Sequence, residues 1–243
     1  MGVADALLEA LAGRAETADV ANPYAGGAGG EWRRRNLARY LEAVTGGGGA
    51  EAPGVALIGE APGYRGCAVT GIPFTSRQVL SGSAGRWGLF APAGYAAGEA
   101  LGRPWAEATA TIVWRHLPGA LGDLPRPPLL WNAYPFHPRP RGRPEGNRGL
   151  TAAEAAEGTG YLELVLGLCP GARPVAVGRA AALALAHLGV APLAVLRHPA
   201  HGGAAAFAAG LAAVARTLPQ SAAGAGAGAG GRARDGARAA RAG

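Results

Sequence analysis

Three observations predict an α/β fold, a three-layer α/β/α sandwich with a central four-stranded parallel sheet. Four short apolar runs punctuate the chain, at 55–58, 128–133, 174–177 and 193–196. Stretches of helical periodicity alternate with them. Strands this apolar are buried on both faces, which calls for a parallel sheet with helices on either side.

The elements follow in order. Residues 5–11 read as a short helix. Residues 31–44 read as a helix, with Leu37, Tyr40, Leu41 and Val44 at helical spacing. The glycine-rich runs 25–30 and 46–54 read as loops. Residues 55–58 form the first strand, 76–81 a helical turn, and 106–117 a helix. The second strand covers 128–133. A helix over 151–168 is opened by Thr151 and Glu154, the Thr-x-x-Glu pattern of a capping box. Residues 174–177 form the third strand, 178–188 a helix, 193–196 the fourth strand, and 203–218 the last helix. No internal repeat is visible.

The 243 residues suit one domain, expected over 1–220, with a Gly/Ala/Arg tail at 221–243. That tail has too little apolar bulk to offset the entropy of ordering, and it is expected to be disordered. Aromatic residues make up only 6% of the chain, so the core must rest mainly on Ala, Leu and Val. The net charge is +7, and every basic residue is arginine; there is no lysine. Arginine forks fit phosphate oxygens, so a polyanionic partner is compatible with this surface. The two cysteines, Cys67 and Cys169, cannot make a zinc or iron–sulfur site by themselves. No metal and no cofactor are expected. There is no basic leader followed by an apolar stretch and no long uncharged apolar run. A soluble, cytoplasmic protein, monomeric and without a membrane partner, is the expectation.

In open parallel sheets, ligands bind beyond the carboxyl ends of the strands. Here the strands run out into "GEAPGYRG", "WNAYPFHP", "VGRA" and "RHPAHGG". Three of these exits carry polar, titratable or aromatic residues beside Gly and Pro. Glu60, Asn132, His137 and His198 therefore gather at one edge of the sheet. Asn132 offers a carbonyl acceptor and an amide donor side by side, which suits an imide edge such as that of uracil. Phe74 offers a flat face for stacking. His198 can donate to an oxygen that gains negative charge. Glu60 can orient a water or stabilise a developing cation. The parts describe a pocket for a planar heterocycle that leaves as an anion. The nearby "RPRGRPEGNR" (139–148), ending in Arg148, carries four arginines against one glutamate, a pattern suited to the phosphate backbone.

Taken in this order, the motifs resemble those of the uracil-DNA glycosylase superfamily. "GEAPG" (59–63) resembles the first motif, on the loop that presents the catalytic water. "GIPF" (71–74) resembles the segment whose aromatic stacks on uracil, at a spacing similar to the single-strand-selective monofunctional branch. "WNAYPFHP" (131–138) resembles the middle motif, whose asparagine reads the base. "RHPAHGG" (197–203) is similar to the last motif, usually His-Pro-Ser. "GNRGLTAAE" (146–154) is similar to an Asn-Arg stretch of the thermostable iron–sulfur branch. The likeness covers roughly 55–218. It implies a monofunctional DNA repair enzyme that hydrolyses the N-glycosidic bond of uracil, or of other deaminated or 5-substituted bases, with uracil-containing DNA as partner. Glu60 and His198 become the catalytic residues. Gly59, Ala61, Gly63, Tyr64, Phe74 and Asn132 become the base pocket. Arg65, His137, Arg148, Arg197, His201 and Gly202 become DNA contacts.

The sequence departs from the family pattern at several points. Ala61 occupies a position that is aspartate in one branch; the thermostable branch also reads Gly-Glu-Ala-Pro-Gly, so Glu60 is the stand-in. Gly63 occupies the position of a tyrosine that excludes the thymine methyl. The iron–sulfur cysteines are missing. Ala200 stands where a serine usually binds phosphate, a contact that His201 or the amides of Gly202 and Gly203 could supply. An alternative follows from Ala61: a protein of the same fold that binds uracil or single-stranded DNA without cleaving it. The absence of lysine excludes a lysine-based lyase step.

Overall fold

A computed structural model describes residues 2–46, 53–82, 87–90, 95 and 106–219. The expected disordered tail at 221–243 lies outside the described residues. The chain opens with helix α1 (Val3–Gly13), the two-residue strand β1 (Val20–Ala21) and helix α2 (Ala28–Thr45). Strand β2 (Val55–Gly59) follows, then the short helices α3 (Cys67–Thr70) and α4 (Arg77–Ser81) and helix α5 (Ala108–Leu121). Next come β3 (Leu129–Asn132), the two-residue β4 (His137–Pro138), α6 (Ala152–Leu168) and β5 (Arg173–Val177). Helix α7 (Arg179–His187), β6 (Ala194–Leu196) and α8 (Ala204–Thr217) complete the order.

The main sheet has four strands in the order β3-β2-β5-β6, all parallel. Every residue of β2 and β3 is buried, as their unbroken apolar character requires. Helices flank the sheet: α6 packs on α1 and α7, and α5 packs on α8. The chain leaves β2 toward β3, then recrosses through α6 to β5 on the other side of β2. The reversal of strand order falls between β2 and β5, and the carboxyl ends of the strands are the usual binding position in open α/β sheets. Gly59 and Asn132 are register partners there.

Most elements lie where the periodicity puts them, and the differences have local causes. Helix α2 starts at Ala28, inside the glycine run read as a loop. A Cβ on Gly30 would lie 1.6 Å from the carbonyl oxygen of Ala25, so glycine lets the preceding turn fold back on the helix. Helix α5 begins after Glu107 and runs through Pro118 to Leu121, four residues past its expected end. The antiparallel pairing of β1 with β4, Val20 opposite Pro138 and Ala21 opposite His137, was not expected from the sequence. Nor was α3. Among the described residues, no helix is long and apolar enough to cross a membrane.

Candidate functional site

The cavity begins where β2 ends. Gly59 leaves room for two side chains: a Cβ there would lie 2.6 Å from Cζ of Phe74 and 2.9 Å from Oδ1 of Asn132. The aromatic ring and the amide thus converge over one bare Cα. Asn132, 4% exposed, is fixed by its place at the end of β3. Phe74 reaches the same spot from the loop after α3 with φ of 55°, a left-handed conformation that costs an aromatic residue about 1–3 kcal/mol. Its surroundings hold it there. Trp114 Nε1 donates to the Phe74 carbonyl at 3.0 Å, and Thr75 Oγ1 donates to the Ile72 carbonyl at 2.6 Å.

Glu60 comes next in the chain. Its carbonyl accepts the Tyr134 N–H at 3.0 Å, and the Gly59 carbonyl accepts the Ala133 N–H at 2.8 Å. These bonds continue the β2–β3 ladder past the strands and fix the loop's exit direction. The Glu60 carboxylate accepts the Leu150 N–H at 3.3 Å and lines the cavity. His198, after β6, is half-buried and lines the same cavity. Its Nδ1 accepts the Ala200 N–H at 3.3 Å, so the neutral ring carries its proton on Nε2. Burial pulls the His198 pKa below its ordinary value; Glu60 and Glu107 oppose the shift, and His201 and Arg197 add to it. His198 is therefore neutral at pH 7.

The cavity has a volume of about 500 Å³. Gly59, Glu60, Ala61, Gly63, Phe74, Asn132, Arg148, His198 and His201 all line it, so these sequence-predicted residues meet around one space. Tyr64 and Arg65 stand beside it, with the Arg65 guanidinium 5.2 Å from the Tyr64 ring centre. Arg197 and Gly202 are exposed. His137 does not reach the surface. It is 3% exposed, and its Nδ1–H donates to the Pro62 carbonyl at 2.7 Å, which holds the Glu60 loop from below. Arg148 turns inward as well: its guanidinium bonds Glu154, Asp19, Arg139 and Gly149. His137 and Arg148, expected as DNA contacts, are both engaged in bonds within the protein.

Of the lining residues given no role in the sequence reading, Glu107 and Asn147 carry hydrogen bonds that shape the wall. Glu107 caps α5 with both carboxylate oxygens, accepting the N–H groups of Thr109 at 3.0 Å and Ala110 at 2.6 Å. It adds a second carboxylate to the cavity wall. Asn147 accepts the Tyr64 N–H on Oδ1 at 3.0 Å and ties the 146–150 segment to the first loop. Glutamate is a rare N-cap, so only an acid next to a helix pattern could have hinted at Glu107.

A carboxylate, an amide, an aromatic ring and an imidazole wall the cavity at the strand ends, and the fold that carries them is similar to that of a solved protein of the uracil-DNA glycosylase superfamily. The structural likeness is to a superfamily member, SMUG2 from Pedobacter heparinus, whose wild-type crystal structure matches with a TM-score of 0.55. The match covers 82% of this chain and 88% of that one at 16% sequence identity, a level that establishes the fold alone. No family model matches the chain, and no curated protein matches it.

Proposed function

We propose that the protein is a monofunctional DNA glycosylase that hydrolyses the N-glycosidic bond of uracil in DNA. The observation that carries the reading is the convergence of Phe74 and Asn132 over Gly59, with Glu60 and His198 on the surrounding walls. A cavity of about 500 Å³ suits a flipped base, since small-molecule sites run ~300–1,000 Å³.

The base stacks on Phe74, and the Asn132 amide pairs with its imide edge. As the glycosidic bond breaks, positive charge grows on the sugar and negative charge on the departing base. His198 donates its Nε2–H toward the base oxygen that takes up this charge. One such donor is worth about 2.7–4 kcal/mol, or 10²–10³-fold in rate. Glu60 orients the attacking water and offsets the sugar's positive charge. Tyr64 belongs to the base pocket on this reading, and His201 with the exposed Arg65, Arg197 and Gly202 meets the phosphates of the bound strand.

The test is release of uracil from single- and double-stranded oligonucleotides, read as abasic sites. Glu60→Ala, Asn132→Ala and His198→Ala should each slow single-turnover release by about 100-fold or more. Unchanged rates in all three would end the assignment. Ala61 keeps a second reading in view, in which the protein retains uracil-containing strands but yields no abasic product.

A further inference from the structure

The segment 146–150 touches the site twice. Its Asn147 holds the backbone of Tyr64, and its Leu150 N–H holds the Glu60 carboxylate. Between those two residues sits Arg148. All five of its guanidinium N–H groups are engaged. Nε donates to the Arg139 carbonyl at 3.2 Å. Nη1 donates to the Gly149 carbonyl at 3.0 Å and to Glu154 Oε2 at 2.8 Å. Nη2 donates to the Asp19 carbonyl at 3.0 Å and to Glu154 Oε1 at 2.6 Å. The pair with Glu154 is a two-pronged fork, the strongest and most directional geometry these groups offer. Both partners are largely shielded, with side chains 23% and 10% exposed.

Glu154 is itself fixed. Its Oε2 accepts the Thr151 N–H at 2.8 Å, and its own N–H donates to Thr151 Oγ1 at 3.2 Å. Leu150 lies one residue before this cap. A rigid path therefore runs from α6 through Glu154 and Arg148 to the N–H that holds Glu60. Among the described residues, that N–H is the hydrogen-bond donor to the Glu60 carboxylate.

We infer that the Arg148–Glu154 fork is a positioning device for Glu60, and that Arg148 takes no phosphate. The inference rests on the glycosylase reading of Glu60. A lysine at 148 keeps the charge but loses the fork. Glutamine at 154 keeps an acceptor for Thr151 but loses the ion pair.

Both variants, Arg148→Lys and Glu154→Gln, are first compared with the parent by circular dichroism and melting. Each should lower the single-turnover rate of uracil release about 10- to 100-fold, the scale of a misplaced catalytic group. KM for DNA should stay within twofold. In a Glu60→Gln background, R148K should cost less than twofold more, because the group it positions is already disabled. A phosphate contact predicts the reverse: an unchanged rate in R148K and E154Q, and in Arg148→Ala, which removes the charge, a slope of log affinity against log salt reduced by about one. That result overturns the inference, as does a full rate loss in the Glu60→Gln background. Amide exchange supplies a readout independent of catalysis. The Leu150 N–H should exchange faster in both variants, and equal exchange overturns the clamp. If the parent protein releases no uracil, the glycosylase reading fails by itself, and the exchange experiment still decides the clamp.

Discussion

Gly59 is the residue on which Phe74 and Asn132 converge. An added methyl would meet Phe74 and Asn132 well inside van der Waals contact. Both side chains are buried, so the clash cannot be relieved cheaply. Gly59→Ala should cost about 1–3 kcal/mol of stability, the usual penalty of overpacking. It should also lower uracil release more than either the melt or the expression level explains; a variant with parental rate would remove Gly59 from the site. His198 sets a pH dependence at the same scale. Burial lowers its folded-state pKa below the ordinary 6.5, so the unfolded chain takes up the proton first. Stability is then full above about 6.5 and falls as pH drops through the lower folded value. Urea midpoints between pH 7.5 and 5 should show this slope, and His198→Asn should flatten part of it. A slope identical in parent and variant would show that His198 stays solvated.

At the scale of elements, α6 makes the sharpest prediction. Thr151→Ala removes the reciprocal cap and should cost about 1 kcal/mol. Glu154 extends the effect to acid. Its bonds to Arg148 and Thr151 hold its carboxyl down from the ordinary 4.5 to about 2. The stability it brings is present above 4.5 and is lost as pH falls toward 2. Glu154→Gln should blunt that acid limb, which acid titration of the circular dichroism signal would read. The cap was legible because Thr and Glu at that spacing have one obvious structural use. The start of α2 was not, because glycine there answers to a tertiary contact with Ala25. The two-residue strands β1 and β4 are too short to show a period. In the site, Glu60, Asn132 and His198 were legible from their places after apolar runs. Glu107 arrives on a loop that looks like any other, and the bond from Tyr64 to Asn147, inside the Asn-Arg stretch, depends on a contact that spacing does not show. Arg148 was visible as an arginine, but its inward aim depends on Asp19 and Glu154, which sequence spacing does not bring to mind.

For the whole molecule, charge and topology act together. A net charge of +7 makes association with any polyanion salt-dependent. Affinity for a uracil-containing strand should fall steadily between about 50 and 200 mM salt, with the exposed Arg65 and Arg197 each accounting for a slope of about one. Alanine at both positions with no change in slope would move the strand's path elsewhere. The two-residue ribbon of β1 with β4 has a different reach. His137 pairs with Ala21 on one side and props up Pro62 on the other, while the Asp19 carbonyl receives both the Arg139 N–H and the Arg148 guanidinium. Leu7, Leu11 and Tyr24, all fully buried, root the same segment in the core. A shortened protein starting at Val55 would keep every recognisable signature yet lose the underpinning of the loop that carries Glu60. The smallest autonomous unit is thus larger than the stretch its signatures mark out, and trimming to them should yield an inert, poorly folded fragment.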